Sequence, residues 1–202
     1  DSLENHLKLN NPLTDDRVYM RLSIIPSLEE IIDQNPQTPE MSVFEIANVY
    51  PKVEGSLPNE KLHLGLVSTL PYREVRGIIE SLMEKLYVEV EIEPALKSSD
   101  SNTGIITVKK KVNDEVREAA LGHKNNDKKP IELGGIKVLD NGRTAVEIEF
   151  SKLLSVMKTH PSYQPIPKTA FMVEDMTFTL EPKTLVGDVM TSIKNLSKLV
   201  VD

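Results

Sequence analysis

The chain contains no cysteine, which excludes a disulfide, a thiolate metal site and a cysteine nucleophile. It also makes the composition compatible with a reducing cytoplasm, the expected location. No apolar run approaches the roughly 18 residues needed to cross a bilayer. The start, Asp1-Ser2-Leu3-Glu4-Asn5, has neither the basic beginning nor the apolar middle of a signal peptide, so no membrane partner is expected. Basic residues are in the minority, 24 Lys and Arg against 31 Asp and Glu, for a net charge of −7 and a pI near 5.2. Phosphate neutralisation needs clustered cations, so this balance argues against a whole-surface nucleic-acid binder and against DNA as a partner. Aromatic residues make up only 4%, which leaves few platforms on which RNA bases could stack. The 202 residues, 39% hydrophobic and 27% charged, suffice for one large domain or two small ones. A start at Asp1 rather than Met is expected of a piece of a longer chain.

The first organised stretch runs from Asn11-Pro12-Leu13-Thr14-Asp15-Asp16 through Tyr19-Met20-Arg21-Leu22-Ser23-Ile24-Ile25-Pro26 into an apolar-periodic run ending at Asn35. Pro26 suits the first helical position, and Glu29 and Glu30 would fall in the first turn, where the helix dipole favours negative charge. Leu28, Ile31 and Ile32 would share the buried face, giving a helix over 26–35. Asn35-Pro36-Gln37-Thr38-Pro39 stops it. Residues 43–50, apolar on both faces, read as a central strand, with a second strand over 62–69 paired to it as a hairpin. Val75, Ile78, Ile79, Leu82, Met83 and Leu86 have the spacing of a buried helical stripe over 74–86. Residues 87–93 alternate apolar and acidic, so Glu89, Glu91 and Glu93 form a wet strand face. Residues 94–103 and 124–130 read as solvated loops around a strand over 105–112.

Asp140-Asn141-Gly142-Arg143 has the chemistry of a tight turn between antiparallel strands 136–139 and 145–150, with Gly134-Gly135 as a preceding turn. Ser151 would cap a helix over 152–158. Pro161, Pro165 and Pro167 stiffen a connector over 161–168, a domain boundary by composition. Beyond it, Phe171 to Leu180 reads as a strand, and Thr184 would cap a helix carrying Leu185, Val189, Ile193, Leu196 and Val200 on one stripe.

Side chains with chemical potential are few. His6, His63, His123 and His160 lack the spacing of metal ligands on one helix. Glu45 is the one charged group on strand 43–50, and a carboxylate there persists only when paired, so it reads as an anchor that fixes the sheet. Arg21 beside Ser23 reads as a salt-bridge partner ahead of the first helix. Lys109-Lys110-Lys111 is a short basic run with nucleic-acid phosphate as its functional reading and a solvated strand end as the ordinary one.

Five blocks carry a family resemblance. Asn11-Pro12-Leu13-Thr14 leading to Pro26, Val43-Phe44-Glu45-Ile46-Ala47, Arg73 to Leu86, Thr144 to Leu154, and Tyr163-Gln164-Pro165-Ile166-Pro167-Lys168 with Glu174-Asp175-Met176 occur in the order found in the bacterial-type phenylalanyl-tRNA synthetase beta chain, which this sequence resembles. The resemblance implies an α+β fold, an antiparallel sheet flanked by helices like a class II synthetase catalytic domain, over 1–160. It implies a connector over 161–168, and over 169–202 the first strand and helix of a ferredoxin-like anticodon-binding domain. Asn11, Pro12, Arg21, Pro26, Phe44 and Glu45 become candidate partner-facing or structural anchors, and Lys109, Lys110 and Lys111 a candidate tRNA contact. Where the family has Gly after Phe-Glu-Ile this chain has Ala47, where it has Arg before Asp this chain has Glu174, and a His-Pro-Gly block is missing between 104 and 135. These departures mark a divergent branch.

Class II activation holds ATP phosphates with arginines on the sheet, and strand 43–50 carries none. The resemblance therefore implies a chain without catalytic, cofactor or metal residues of its own, with ATP and Mg²⁺ in a partner alpha chain and tRNA bound by the full-length protein. Two readings compete with this scaffold: a self-standing enzyme using the sheet as its platform, and a free-standing RNA-binding or protein-interaction module of translation. The missing arginines oppose the first, and the acidic balance with few aromatics opposes the second.

Overall fold

The computed structural model describes residues 5–15, 18–53, 55, 57–94, 103–108, 130–160, 163, 165, 170, 172–182, 184, 186–197 and 200. The chain divides into two units, Asp1–Ser162 and Tyr163–Asp202.

In the first unit, helix α1 spans Ile25–Asp33 with Pro26 in its first turn, where a missing N–H costs nothing. Because the helix begins at Ile25, Glu29 and Glu30 fall beyond the first turn, which carries no acid. Ile25, Leu28 and Ile32 are buried, whereas Ile31, expected on that face, is 42% exposed. The Asn35 amide donates to the Ile31 carbonyl at 2.7 Å, satisfying one of the orphan acceptors of the last turn.

Strands β1 (Ser42–Val49), β2 (Lys61–Ser68), β3 (Val90–Pro94), β4 (Thr103–Val108), β5 (Glu132–Val138) and β6 (Thr144–Glu149) form one sheet in the order β1-β2-β6-β5-β4-β3. Every neighbouring pair is antiparallel. The expected hairpins β1–β2 and β5–β6 are present, the second closed by Gly142 at φ 81°. The central position expected for 43–50 is not: β1 lies at the sheet edge, with Phe44 71% and Ile46 46% exposed. Its apolar residues on two faces reflect one face under α1 and another left open, rather than two covering layers. Gly134 and Gly135 belong to β5 and not to a turn. A Cβ on Gly134 would overlap the Glu147 carbonyl oxygen and approach the Ile148 Cα to 2.8 Å, so this residue type lets β5 and β6 close up.

Helix α2 spans Tyr72–Lys85 and helix α3 Phe150–Val156. Ser151 thus lies inside α3 rather than capping it. The sheet separates two cores. On one face Ile24, Ile25, Leu28 and Ile32 pack with Val49, Val67 and Ala145. On the other, Val75, Ile79 and Met83 of α2 and Leu153 of α3 pack with Leu66, Ile106, Ile136, Val146 and Ile148. The stripe expected on α2 is narrower than its spacing suggests, since Ile78 is 44% exposed. Helix α2 ends in a Schellman arrangement, Tyr87 N–H to the Glu84 carbonyl at 3.0 Å and Val88 N–H to the Met83 carbonyl at 2.9 Å. That arrangement requires positive φ, taken here by Tyr87 at 55°, and for this reason the next strand begins at Val90 and not at residue 87.

In the second unit, helix α4 spans Val186–Leu196 and buries none of its residues. Residues 172–180 form no strand and are exposed, contrary to the expectation for 171–180. A strand needs a neighbour to pair its backbone, and among the described residues of this unit none pairs with it. The Thr184 hydroxyl donates to the Glu181 carbonyl at 2.8 Å instead of accepting from a helical N–H.

Candidate functional site

The chemistry of the first unit collects where the segment before α1 crosses the sheet. Glu45, Gly65 and Glu147 lie side by side in register on β1, β2 and β6. A Cβ on Gly65 would stand 3.2 Å from both the Ile24 Cβ and the Leu28 Cδ1. The glycine is a gap into which the start of α1 settles, and the two glutamates flank it.

Glu147 holds that segment directly. Its Oε2 accepts the Ser23 hydroxyl at 2.6 Å, and its Oε1 accepts the Ile24 N–H at 3.1 Å and His63 Nδ1 at 3.0 Å. Ser23 Oγ in turn accepts the Ile25 N–H at 3.2 Å. A carboxylate only accepts, so His63 bears its proton on Nδ1; its Nε2 is buried without a partner. Burial alone would raise the Glu147 carboxyl above the usual range. The bonds from His63, Ser23 and the Ile24 N–H, with the attraction of His63, outweigh it and hold the group below its ordinary value.

Glu45 performs the lesser task on the other side. Arg21 donates through Nε to the Asn48 carbonyl at 2.9 Å and through its terminal nitrogens to Glu45 Oε1 at 3.4 Å. The Tyr50 N–H reaches the Arg21 carbonyl at 2.9 Å. The two side chains remain about a third exposed, so this pair contributes modestly beside the hydrogen bond to backbone. One register row further along, Glu149 pairs with Lys152 at 3.0 Å and Lys61 at 3.4 Å. Against the burial that would raise it, these two cations hold its carboxyl below the ordinary range.

Of the residues singled out in the sequence, the structure joins Arg21 and Glu45. Pro26 lies in α1. Phe44 alternates with Glu45 and so projects from the opposite face of β1. Asn11 and Pro12 belong to a stretch before α1 tied by the bridge between Lys8 and Tyr19. Lys109, Lys110 and Lys111 fall outside the described residues. Ser23, His63, Glu147 and Glu149 were missed as a group; the usable signal was a pair of glutamates two apart in the otherwise apolar strand 144–150. Among the described residues no strand carries an arginine, and no three His, Cys, Asp or Glu side chains are grouped to hold a metal ion.

The model of the phenylalanyl tRNA synthetase beta chain CLM domain matches residues 1–111, which include α1, β1, β2 and α2. The chain belongs to the phenylalanyl-tRNA synthetase beta chain family. Among its relatives, the phenylalanine–tRNA ligase beta subunit of Oceanobacillus iheyensis is 29% identical over 228 aligned residues, covering 98% of this chain and 26% of the relative. That of Clostridium tetani is 26% identical over 206, covering 96% and 25%. The chain thus spans about a quarter of the length of these beta subunits. Among solved structures, a pyrrolysyl-tRNA synthetase of Desulfitobacterium hafniense is similar at a TM-score of 0.46 and 15% identity, covering 75% of this chain and 52% of the other. Within this beta-chain member, the polar groups beside α1 are engaged with one another and with backbone.

Proposed function

We propose that this chain is a catalytic-like but non-catalytic part of a phenylalanine–tRNA ligase beta subunit, and that it scaffolds the catalytic alpha chain for ATP-dependent attachment of phenylalanine to tRNA. The observation that carries this reading is the inward engagement of the sheet's charged groups: Glu147 on Ser23, Ile24 and His63, Arg21 on Asn48 and Glu45, Glu149 on two lysines. A site that activates an amino acid turns guanidinium groups toward phosphate; here the charges tie helix to sheet. ATP and Mg²⁺ would be bound by the alpha chain.

The open face of β1 supplies the second half of the argument. Phe44 and Ile46 are cross-strand neighbours of Leu66 and Leu64, both of the α2–α3 core, so the exposed pair extends a hydrophobic core to the sheet edge. An apolar patch continuous with a core suits a partner subunit. Residues 161–168 would connect to a unit belonging to the anticodon-binding part of the subunit, Lys109 to Lys111 would touch tRNA, and the protein would work in the cytoplasm. Among the described residues no helix is long and apolar enough to cross a membrane.

Co-purification of the tagged chain with the alpha chain of the same ligase tests the reading. Phe44→Asp with Ile46→Asp should abolish capture while leaving the melt of the chain intact. Capture that survives the double variant removes β1 from the interface. Saturable micromolar ATP binding by this chain alone, by calorimetry, refutes the scaffold reading itself.

A further inference from the structure

Helix α2 bears a second surface that the scaffold reading leaves unused. Alongside its buried Val75, Ile79 and Met83 runs a groove of about 590 Å³, lined by Leu70, Glu74, Gly77, Ile78, Leu82 and Lys85, together with Ser81. Its floor is apolar. A Cβ on Gly77 would meet nothing within 4 Å, so this glycine leaves an open notch midway along the exposed face of the helix, where its residue type is otherwise unfavourable. Glu74 stands near one end and Lys85 near the other, and neither has an ion-pair partner among the described residues.

We propose that this groove is self-complementary and binds a second copy of the same helix, antiparallel, in a two-fold dimer of this chain. Aligning the helices so that Glu74 faces Lys85 of the second copy also sets Leu82 of each against the notch at Gly77 of the other, and Ile78 against Ser81. The three matches follow from one register. Each large side chain meets a small one and each charge meets its opposite, which is the pattern an isologous interface requires. The pairing of small and large residues lets the two backbones approach. A helix of 14 residues, about 21 Å long, makes this a small interface, so association belongs to the weak, reversible class. The inference stands on α2 alone and does not depend on the ligase reading.

Sedimentation velocity of the whole chain, from about 10 to about 500 µM, is the test, a span chosen for a weak, reversible dimer. A concentration-dependent dimer is expected. Glu74→Lys and Lys85→Glu, taken singly, should weaken it about tenfold, since each replaces two attractions by two repulsions, and the double exchange should restore it. Gly77→Gln should abolish the dimer while leaving the monomer's thermal melt equal or higher, which separates filling the notch from unfolding. A monomer throughout the range overturns the proposal, as does a dimer indifferent to Glu74→Lys or one that the double exchange fails to restore. If the chain stays monomeric while the alpha chain binds it and Gly77→Gln blocks that binding, the groove belongs to another subunit and the second copy is ruled out.

Discussion

Replacing Glu147 by Ala puts the account of the sheet crossing under the most strain. The substitution removes the acceptor of three donors: the Ser23 hydroxyl, the Ile24 N–H and His63 Nδ1. Ile24 is fully buried, and orphaning a buried N–H costs about 1–3 kcal/mol. Losing the charge-assisted bond from Ser23 adds about 1.5–3 kcal/mol, less whatever solvent recovers. A net loss of about 3–5 kcal/mol is a large fraction of a typical stability of about 5–15 kcal/mol. In a unit of this size it lowers the melting temperature by roughly 6–20 °C. Glu147→Gln retains one carbonyl oxygen for Ile24 and His63 and should cost less than half as much. The two variants also separate by pH. The folded Glu147 carboxyl lies below its ordinary value of 4.5, so its contribution is complete above that value and is lost as pH falls through the lower, folded one. Urea midpoints between pH 7 and pH 3 should therefore fall more steeply for the native chain than for Glu147→Gln. A melt of Glu147→Ala within about 2 °C of the native chain, or identical acid sensitivity of the native and Gln proteins, would refute the clamp.

Further outcomes follow from other positions. Gly134→Val should prevent folding or cost more than about 3 kcal/mol, because its side chain would enter the backbone of β6; a native-like circular dichroism melt would contradict the close approach. Arg21→Ala should cost about 1 kcal/mol, mostly for the bond to the Asn48 carbonyl, as the pair with Glu45 is partly solvated, and a loss above about 3 kcal/mol in urea titration would mean the pair is the main anchor. Tyr87→Gly should raise the unfolding free energy by about 0.5–1 kcal/mol in urea titration by relieving positive φ; a drop would assign Tyr87 a packing role. Deleting residues 163–202 should leave the melt of the first unit nearly unchanged, and loss of folding would show the two units to be one.

Sequence alone determined the elements wherever local chemistry and hydrophobic period agree. Pro26 ahead of Leu28 and Ile32 announces α1, Asn141-Gly142 closes the β5–β6 hairpin, and the stripe Val75, Ile79, Met83 marks α2. The order of short blocks also carried the family resemblance, since such blocks stay legible when single positions drift. Tertiary structure decided the rest, because period reports which face is apolar and not what lies against it. The run 43–50 looks the same in a central strand as in an edge strand with an open face, and only the strand order distinguishes them. Glycine at 134 reads as a turn until the neighbouring backbone is in place. Tyr87 shortened a strand by taking a backbone conformation that its own side chain disfavours, which the helix end before it demanded. Glu147 meets Ser23 from more than a hundred residues away, and a long-range hydrogen bond leaves no trace in local spacing; only the packed sheet brings its donors and its acceptor to one place.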